Sequence, residues 1–208
     1  MAPSPSLERP GALTPTQRET LLGIARASIR HGLTHDRPLP PDLAALPAAL
    51  TVERAVFVTL TLQDRLRGCI GRTRACLPLA EDVAVLAFEA AFRDPRFPPV
   101  ALGEFDDLAI DLSLLSLPQA IAFGSEADLL AQLVPGKDGL IIQTGQRHAV
   151  FLPSVWASLP DPAEFLRRLK LKAGLAPSFP ATELEASRFH TECIREGGGP
   201  EGGPAAGR

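Results

Sequence analysis

Hydrophobic positions recur at two spacings along this chain, and each change of spacing marks a new element. Leu21, Leu22, Ala25, Ser28 and Ile29 form one helical stripe behind Thr14-Pro15. Thr14 suits the cap, Pro15 the first turn and Gln17 a capping box, and Gly32 is the expected stop. From His35 to Pro47 the chain carries Pro38, Pro40, Pro41 and Pro47 and reads as a rigid loop. Val56, Val58, Leu60 and Leu62 then alternate with Phe57, Thr59 and Thr61, which predicts a half-buried strand. Leu66-Arg67-Gly68-Cys69-Ile70 is its hairpin partner. A three-residue loop, Gln63-Asp64-Arg65, pairs Leu62 with Leu66 and Leu60 with Gly68. It sets Thr61 against Arg67 and Thr59 against Cys69 on the other face, whereas a two-residue turn mixes the faces.

A second helix starts near Pro78 with Leu79, Val83, Leu86, Ala87, Ala90 and Ala91 inside, and Asp94-Pro95 ends it. Ile110, Leu112 and Leu114 alternate as a strand. Ser125 and Asp128 cap a short helix carrying Leu129, Leu130 and Leu133. Leu140 to Gln143 and His148 to Leu152 flank a turn at Thr144-Gly145-Gln146-Arg147. Asp161, Pro162 and Glu164 open a helix with Phe165, Leu166, Leu169 and Ala173 inside, closed by Gly174. Glu183 to Ile194 alternates as one last strand. Hairpins set between helices predict an α+β fold with mostly antiparallel sheets flanked by helices.

Composition narrows the class. The net charge is −3 and the pI about 5.8, with no basic stripe of the kind that neutralises nucleic-acid phosphates. No run approaches the roughly 18 apolar residues of a membrane span. Met1-Ala2-Pro3-Ser4 lacks the basic start and apolar run of a secretory signal. Three cysteines, Cys69, Cys76 and Cys193, are an odd number for a disulfide framework, so the reading is a cytoplasmic protein with reduced thiols. Residues 1–12 and the Gly/Pro-rich stretch 196–208 read as disordered tails around a domain spanning 13–195.

Two constellations carry chemistry. Arg67-Gly68-Cys69-Ile70-Gly71 puts a thiol between glycines that allow close backbone approach. Cys69 reads either as a nucleophile or ligand with Arg67 on its face, or as a small packed cysteine. Phe92-Arg93-Asp94-Pro95-Arg96-Phe97 reads either as a helix stop with solvated charges, or as a stiff loop whose Arg96 fork holds a carboxylate or phosphate. His31 and His35 lack the glutamate of a zinc-protease helix, and His148 and His190 lie in predicted strands. Cys69 and Cys76 lack a second close pair, so no metal site is assigned. Phosphate loops, dinucleotide fingerprints and serine elbows are absent from the sequence.

Leu66 to Gly71, Pro78-Leu79-Ala80-Glu81-Asp82-Val83 and Phe92 to Phe97, in this order, resemble the AMMECR domain family. Its bacterial and archaeal members are called AmmeMemoRadiSam system protein A. The resemblance continues through Leu112 to Ser116, Gly139 to Ile142, Phe151-Leu152-Pro153 and Phe165 to Leu175, covering roughly residues 14 to 194. It implies a larger and a smaller part, intertwined because the larger takes in both chain ends, with a cleft between them. It further implies that the Leu66–Gly71 motif faces that cleft. No reaction or cofactor follows from it. On this reading Cys69 is the candidate catalytic residue, and Arg67, Gly68, Gly71, Asp94 and Arg96 bind a small anionic ligand. The family name implies a Memo-type protein and a radical SAM protein as companions. The alternative is a non-catalytic module that docks to them. Cys76 lies outside the family pattern, and Ser154-Val155-Trp156-Ala157-Ser158 departs from the family's usual Gln-Val.

Overall fold

The computed structural model describes residues 12–196. The tails expected at either end lie outside them, apart from Ala12 and Glu196. The elements in chain order are α1 (Pro15–His35), α2 (Ala48–Thr51), β1 (Val56–Leu62), β2 (Arg65–Gly71), α3 (Leu79–Phe92), β3 (Leu108–Leu115) and β4 (Gln119–Ile121). There follow α4 (Glu126–Ala131), β5 (Gly139–Thr144), β6 (Arg147–Phe151), α5 (Pro162–Lys172), β7 (Glu185–Phe189) and β8 (Thr191–Arg195). Two four-stranded sheets form, in the orders β2-β1-β3-β8 and β4-β7-β5-β6. Every strand pairing in them is antiparallel, so the class is α+β.

Alternation in β1 and β3 decides which face of the first sheet is covered. Val56, Val58, Leu60, Ile110, Leu112 and Leu114 are all fully buried against α1 and α3. Leu21, Ala25 and Ile29 supply the α1 stripe, and Leu79, Val83, Leu86, Ala87 and Ala90 that of α3. The second lobe packs Leu140, Ile142, Ala149 and Ala186 on Phe165, Leu166 and Leu169. There the Trp156 ring stacks on Phe165 at 3.7 Å, and its indole N–H donates to the Asp138 carbonyl at 2.7 Å. A small apolar cluster of Ala55, Phe57, Leu115, Ile141, Leu152 and Phe189 joins the lobes.

Three expectations from the sequence are corrected. Gly32 does not stop α1, which has its capping box at Thr14 and Gln17 and runs on to His35, where Asp36 turns left-handed at φ 53°. A Cβ at Gly32 would stand 2.5 Å from the Phe92 ring, so this glycine admits α3 rather than ending a helix. The first hairpin turns on two residues, Gln63 and Asp64, with φ of 50° and 60°, as a type I′ turn requires. Leu62 therefore pairs with Arg65 and Thr61 with Leu66, while Leu60 with Gly68 and Thr59 with Cys69 pair as expected. A bulge at Arg67 absorbs the difference and restores the faces.

The last strand is two strands. β7 belongs to the second sheet and β8 to the first, and the chain crosses between lobes at His190. The outward crossing is at Ser116, and the two crossings are tied together. Ser116 N–H donates to the His190 carbonyl at 2.9 Å, and His190 N–H donates to Ser116 Oγ at 3.0 Å. His190 thus lies between strands rather than in one, its ring 3.4 Å from the buried Asp138 carboxylate.

Candidate functional site

β2 is an edge strand, so its outward-facing peptide groups have no strand to bond. At Cys69 they are bonded by side chains instead. The Cys69 N–H donates to Asp94 Oδ2 at 2.8 Å, and the Cys69 carbonyl accepts from Arg96 Nη2 at 3.0 Å. Asp94 and Arg96 stand just past the end of α3, where Asp94-Pro95 breaks the helix as expected. Asp94 is only 4% exposed and accepts from both the Nε and Nη2 of Arg96, at 2.9 and 2.7 Å. The Arg96 fork, then burial acting against it, and then the Cys69 and Arg96 N–H groups set its acidity. The result holds the Asp94 carboxyl well below the usual carboxylate range.

Because the Cys69 peptide bonds away from β1, Cys69 and Thr59 form a non-hydrogen-bonded pair, the closer kind in an antiparallel ladder. Their side chains meet, with Thr59 Oγ1 3.2 Å from Cys69 Sγ. Both lie half-exposed on the face of the first sheet turned away from α1 and α3. Two glycines bracket the thiol. A Cβ at Gly68 would stand 2.1 Å from the Ala90 carbonyl oxygen, so only glycine lets β2 lie this close to α3. At Gly71 a Cβ would meet the Phe57 ring at 2.2 Å on the opposite face.

Arg67 occupies the bulge and is 9% exposed. Its Nε and Nη2 donate to Glu104 at 2.8 and 2.9 Å, and its Nη1 and Nη2 to the Pro98 and Pro99 carbonyls at 2.8 and 3.2 Å. The guanidinium brings the Glu104 carboxyl down to about 2, helped by the Ala101 N–H. In this geometry the Arg67 fork is filled by the chain itself. The cation that reaches Cys69 is Arg96, whose own acidity is weakened mainly by Asp94 and in smaller part by Cys69. The structure therefore brings Cys69, Asp94 and Arg96 together, and sets Arg67 behind them as a brace to the 98–104 segment.

Sequence reasoning missed Glu104, Asp111 and Arg195, and set Thr59 opposite Cys69 without giving it a role. On the uncovered face Cys69, Thr59, Asp111 and Arg195 occupy paired positions on four successive strands and form one polar row. The alternation of Asp111 and Ser113 with Ile110, Leu112 and Leu114 gives the face of β3, but nothing local gives its register against β1. Cys76 and Cys193 are exposed, and Cys76 lies 3.9 Å from Arg72 Nη1. Among the described residues no group of three or more His, Cys, Asp or Glu gathers as a metal would need, and no helix is long and apolar enough to cross a membrane. An open pocket between β4 and β7 has only Glu185 as a titrating lining residue and lies on the other lobe.

Comparison with known proteins follows the same segments. The AMMECR1 family model matches residues 22–194. A protein of Methanothermobacter thermautotrophicus is 37% identical over 192 residues, covering 89% of this chain and 97% of that protein. Protein MJ0810 of Methanocaldococcus jannaschii is 37% identical over 158 residues, covering 74% of this chain and 79% of its own length. The crystal structure of the uncharacterized protein PH0010 from Pyrococcus horikoshii superimposes with a TM-score of 0.79 at 33% identity, covering 89% of this chain and 94% of that one. The matched span contains the Cys69 strand, the Asp94–Arg96 clamp and both crossings between the lobes, so the chain belongs to the AMMECR1 family.

Proposed function

We propose that the Cys69 thiol is the working group of a small-ligand or catalytic cleft, whose floor is the uncovered face of the first sheet. The observation that carries this reading is the double tie on the Cys69 peptide, with Asp94 on its N–H and Arg96 on its carbonyl. A packed cysteine needs no such anchoring, whereas a reacting sulfur must be held to a fraction of an ångström. Arg67, Gly68 and Gly71 then act as positioning residues. Arg67 braces the bulge, Gly68 seats β2 on α3 and Gly71 leaves room for Phe57. The Memo-type and radical SAM companions, on this reading, supply or consume what the cleft holds.

A docking module is the second reading, favoured by Leu66 and Leu102. They are 38% and 76% exposed on the two segments that Arg67 and Glu104 join. Iodoacetamide labelling of the native protein, followed by peptide mass mapping, separates the two. The thiol reading expects Cys69 to label faster than the more exposed Cys76 and Cys193. It also expects Arg96→Gln to slow that labelling and Arg96→Lys, which keeps the charge, to preserve most of it. Labelling of Cys69 slower than both other thiols and indifferent to Arg96 abandons the thiol reading for the docking one.

A further inference from the structure

The far end of the polar row holds two charges that the fold leaves unsatisfied. Asp111 of β3 and Arg195 of β8 are directly paired positions on the uncovered face. The Asp111 side chain is 33% exposed and that of Arg195 is 28% exposed, with Nε 3.9 Å from Oδ1. That is too long for a hydrogen bond, and neither side chain has another hydrogen-bond partner among the described residues. The half-buried arginines that brace this lobe, by contrast, have their forks filled. Arg67 on Glu104, Arg96 on Asp94 and Arg26 on Glu196 all sit at hydrogen-bond distance. Burial pushes the Asp111 carboxyl up, Arg195 pulls it down and Glu196 adds to the rise, as expected of a carboxylate that has lost water and gained no donor.

We infer that Asp111 and Arg195 form the recognition site for a small zwitterion of the α-amino-acid class, its ammonium donating to Asp111 and its carboxylate accepting from Arg195. This rests on the uncovered face being the ligand side of the protein, as proposed above. An α-amino acid carries its two charges on one carbon, so a single small group can complete both members of an open pair of this spacing. A ligand with only one of those charges leaves the other protein ion partly desolvated and unpaired, which is a strong basis for rejection. The row gives direction as well. Thr59 and Cys69 follow Asp111 on the next two strands, and at about 4.8 Å per strand the thiol lies roughly 10 Å from Asp111. A ligand side chain lying along the row therefore points at Cys69.

The test uses the full chain and the twenty common α-amino acids, one at a time, by thermal shift and calorimetric titration. Each hit is compared with its N-acetyl and α-amide forms. At least one amino acid is expected to bind, with each blocked form weaker by about tenfold or more, the loss expected when a charged partner is left unpaired. Asp111→Asn and Arg195→Gln are each expected to weaken it to a similar degree. Should either variant fail to fold, the blocked ligands on the unaltered protein decide the matter. Absence of binding by all twenty overturns the inference, and so does a blocked form that binds as well as its parent. The Cys69 reading is separated by labelling in the presence of the bound amino acid. Slower iodoacetamide labelling of Cys69 supports both. Arg96-dependent labelling of Cys69 together with failure of all twenty amino acids to bind overturns this inference and leaves the Cys69 reading standing.

Discussion

The two faces of β2 meet opposite demands within five residues. Gly68 turns toward α3, where a side chain has no room, and its neighbours across the covered face are fully buried aliphatics. Cys69 turns the other way, onto a face of Thr59, Asp111, Ser113 and Arg195. Packing fixes the first face through shape. The second is fixed by charge-assisted bonds, with Asp94 and Arg96 on the outer edge and Arg67 and Glu104 at the bulge. The Cys69 backbone is thus held by bonds at the strand edge rather than by contacts on its own face, which leaves that face free of packing from α1 and α3.

Substitutions should divide along that line. Gly68→Ala drives a methyl into the Ala90 carbonyl and is expected to cost about 3 kcal/mol or more, read as a fall in urea midpoint. Gly71→Ala should also be costly but somewhat less so, because its nearest obstacle is the Phe57 side chain at 2.2 Å, with the Phe57 Cα behind it at 2.7 Å, rather than a helix carbonyl. Equal losses from the two would erase the distinction between faces. Next in size is Asp94→Ala, which strips the acceptor from the Cys69 N–H and the partner from Arg96, at about 1–3 kcal/mol. Asp94→Asn, which still offers an oxygen, should lose less.

Acid should loosen the edge and the bulge before it touches the covered face. The Glu104 carboxyl sits at about 2 against an ordinary 4.5, and Asp94 is also depressed. A carboxyl whose acidity is strengthened by folding adds stability above its unfolded value and loses it as the pH falls toward the folded one. Stability should therefore decline between about pH 4.5 and pH 2, and Glu104→Gln should flatten part of that decline. A variant with an unchanged acid limb would show that the Arg67 brace carries no weight. The smallest effect is expected from Cys69→Ser, below about 1 kcal/mol, since the residue is half-exposed and its peptide ties remain. A larger loss would mean that the thiol packs rather than faces solvent.

Much of this fold is legible in the alternation of β1 and β3, the capping box at Thr14 and the break at Asp94-Pro95. What is not legible shares one physical cause, partners distant in sequence. The bulge at Arg67 exists because Glu104 and two proline carbonyls lie 31 to 37 residues ahead to hold it. The local pattern of the hairpin therefore favours the longer loop, which keeps the faces in phase without a bulge. The division of the last strand is hidden for a related reason. Leu184 and Ala186 before the crossing and Ile194 after it share one phase, and Arg188, His190 and Glu192 between them are polar, so the apolar positions are too few to mark where the chain changes sheets. Cys69 and the clamp residues stand out by type, but Asp94 as the acceptor of the Cys69 N–H does not. Asp111 and Arg195 are ordinary charges until register sets them side by side.

The return of the chain through His190 bears on how the protein is made. Synthesis runs from the N-terminus, so β1, β2 and β3 leave the ribosome well before β8, which must wait for the whole of the second lobe. Until then the backbone of β3 from Asp111 to Leu115 has no outer neighbour, and Leu112 and Leu114 lack the cover of Ile194. The thiol and its clamp residues are synthesised early, whereas Arg195 arrives with the last strand. A nascent chain thus carries Cys69 while the row it belongs to is still missing its cation, and the complete face exists only in molecules that have finished both lobes.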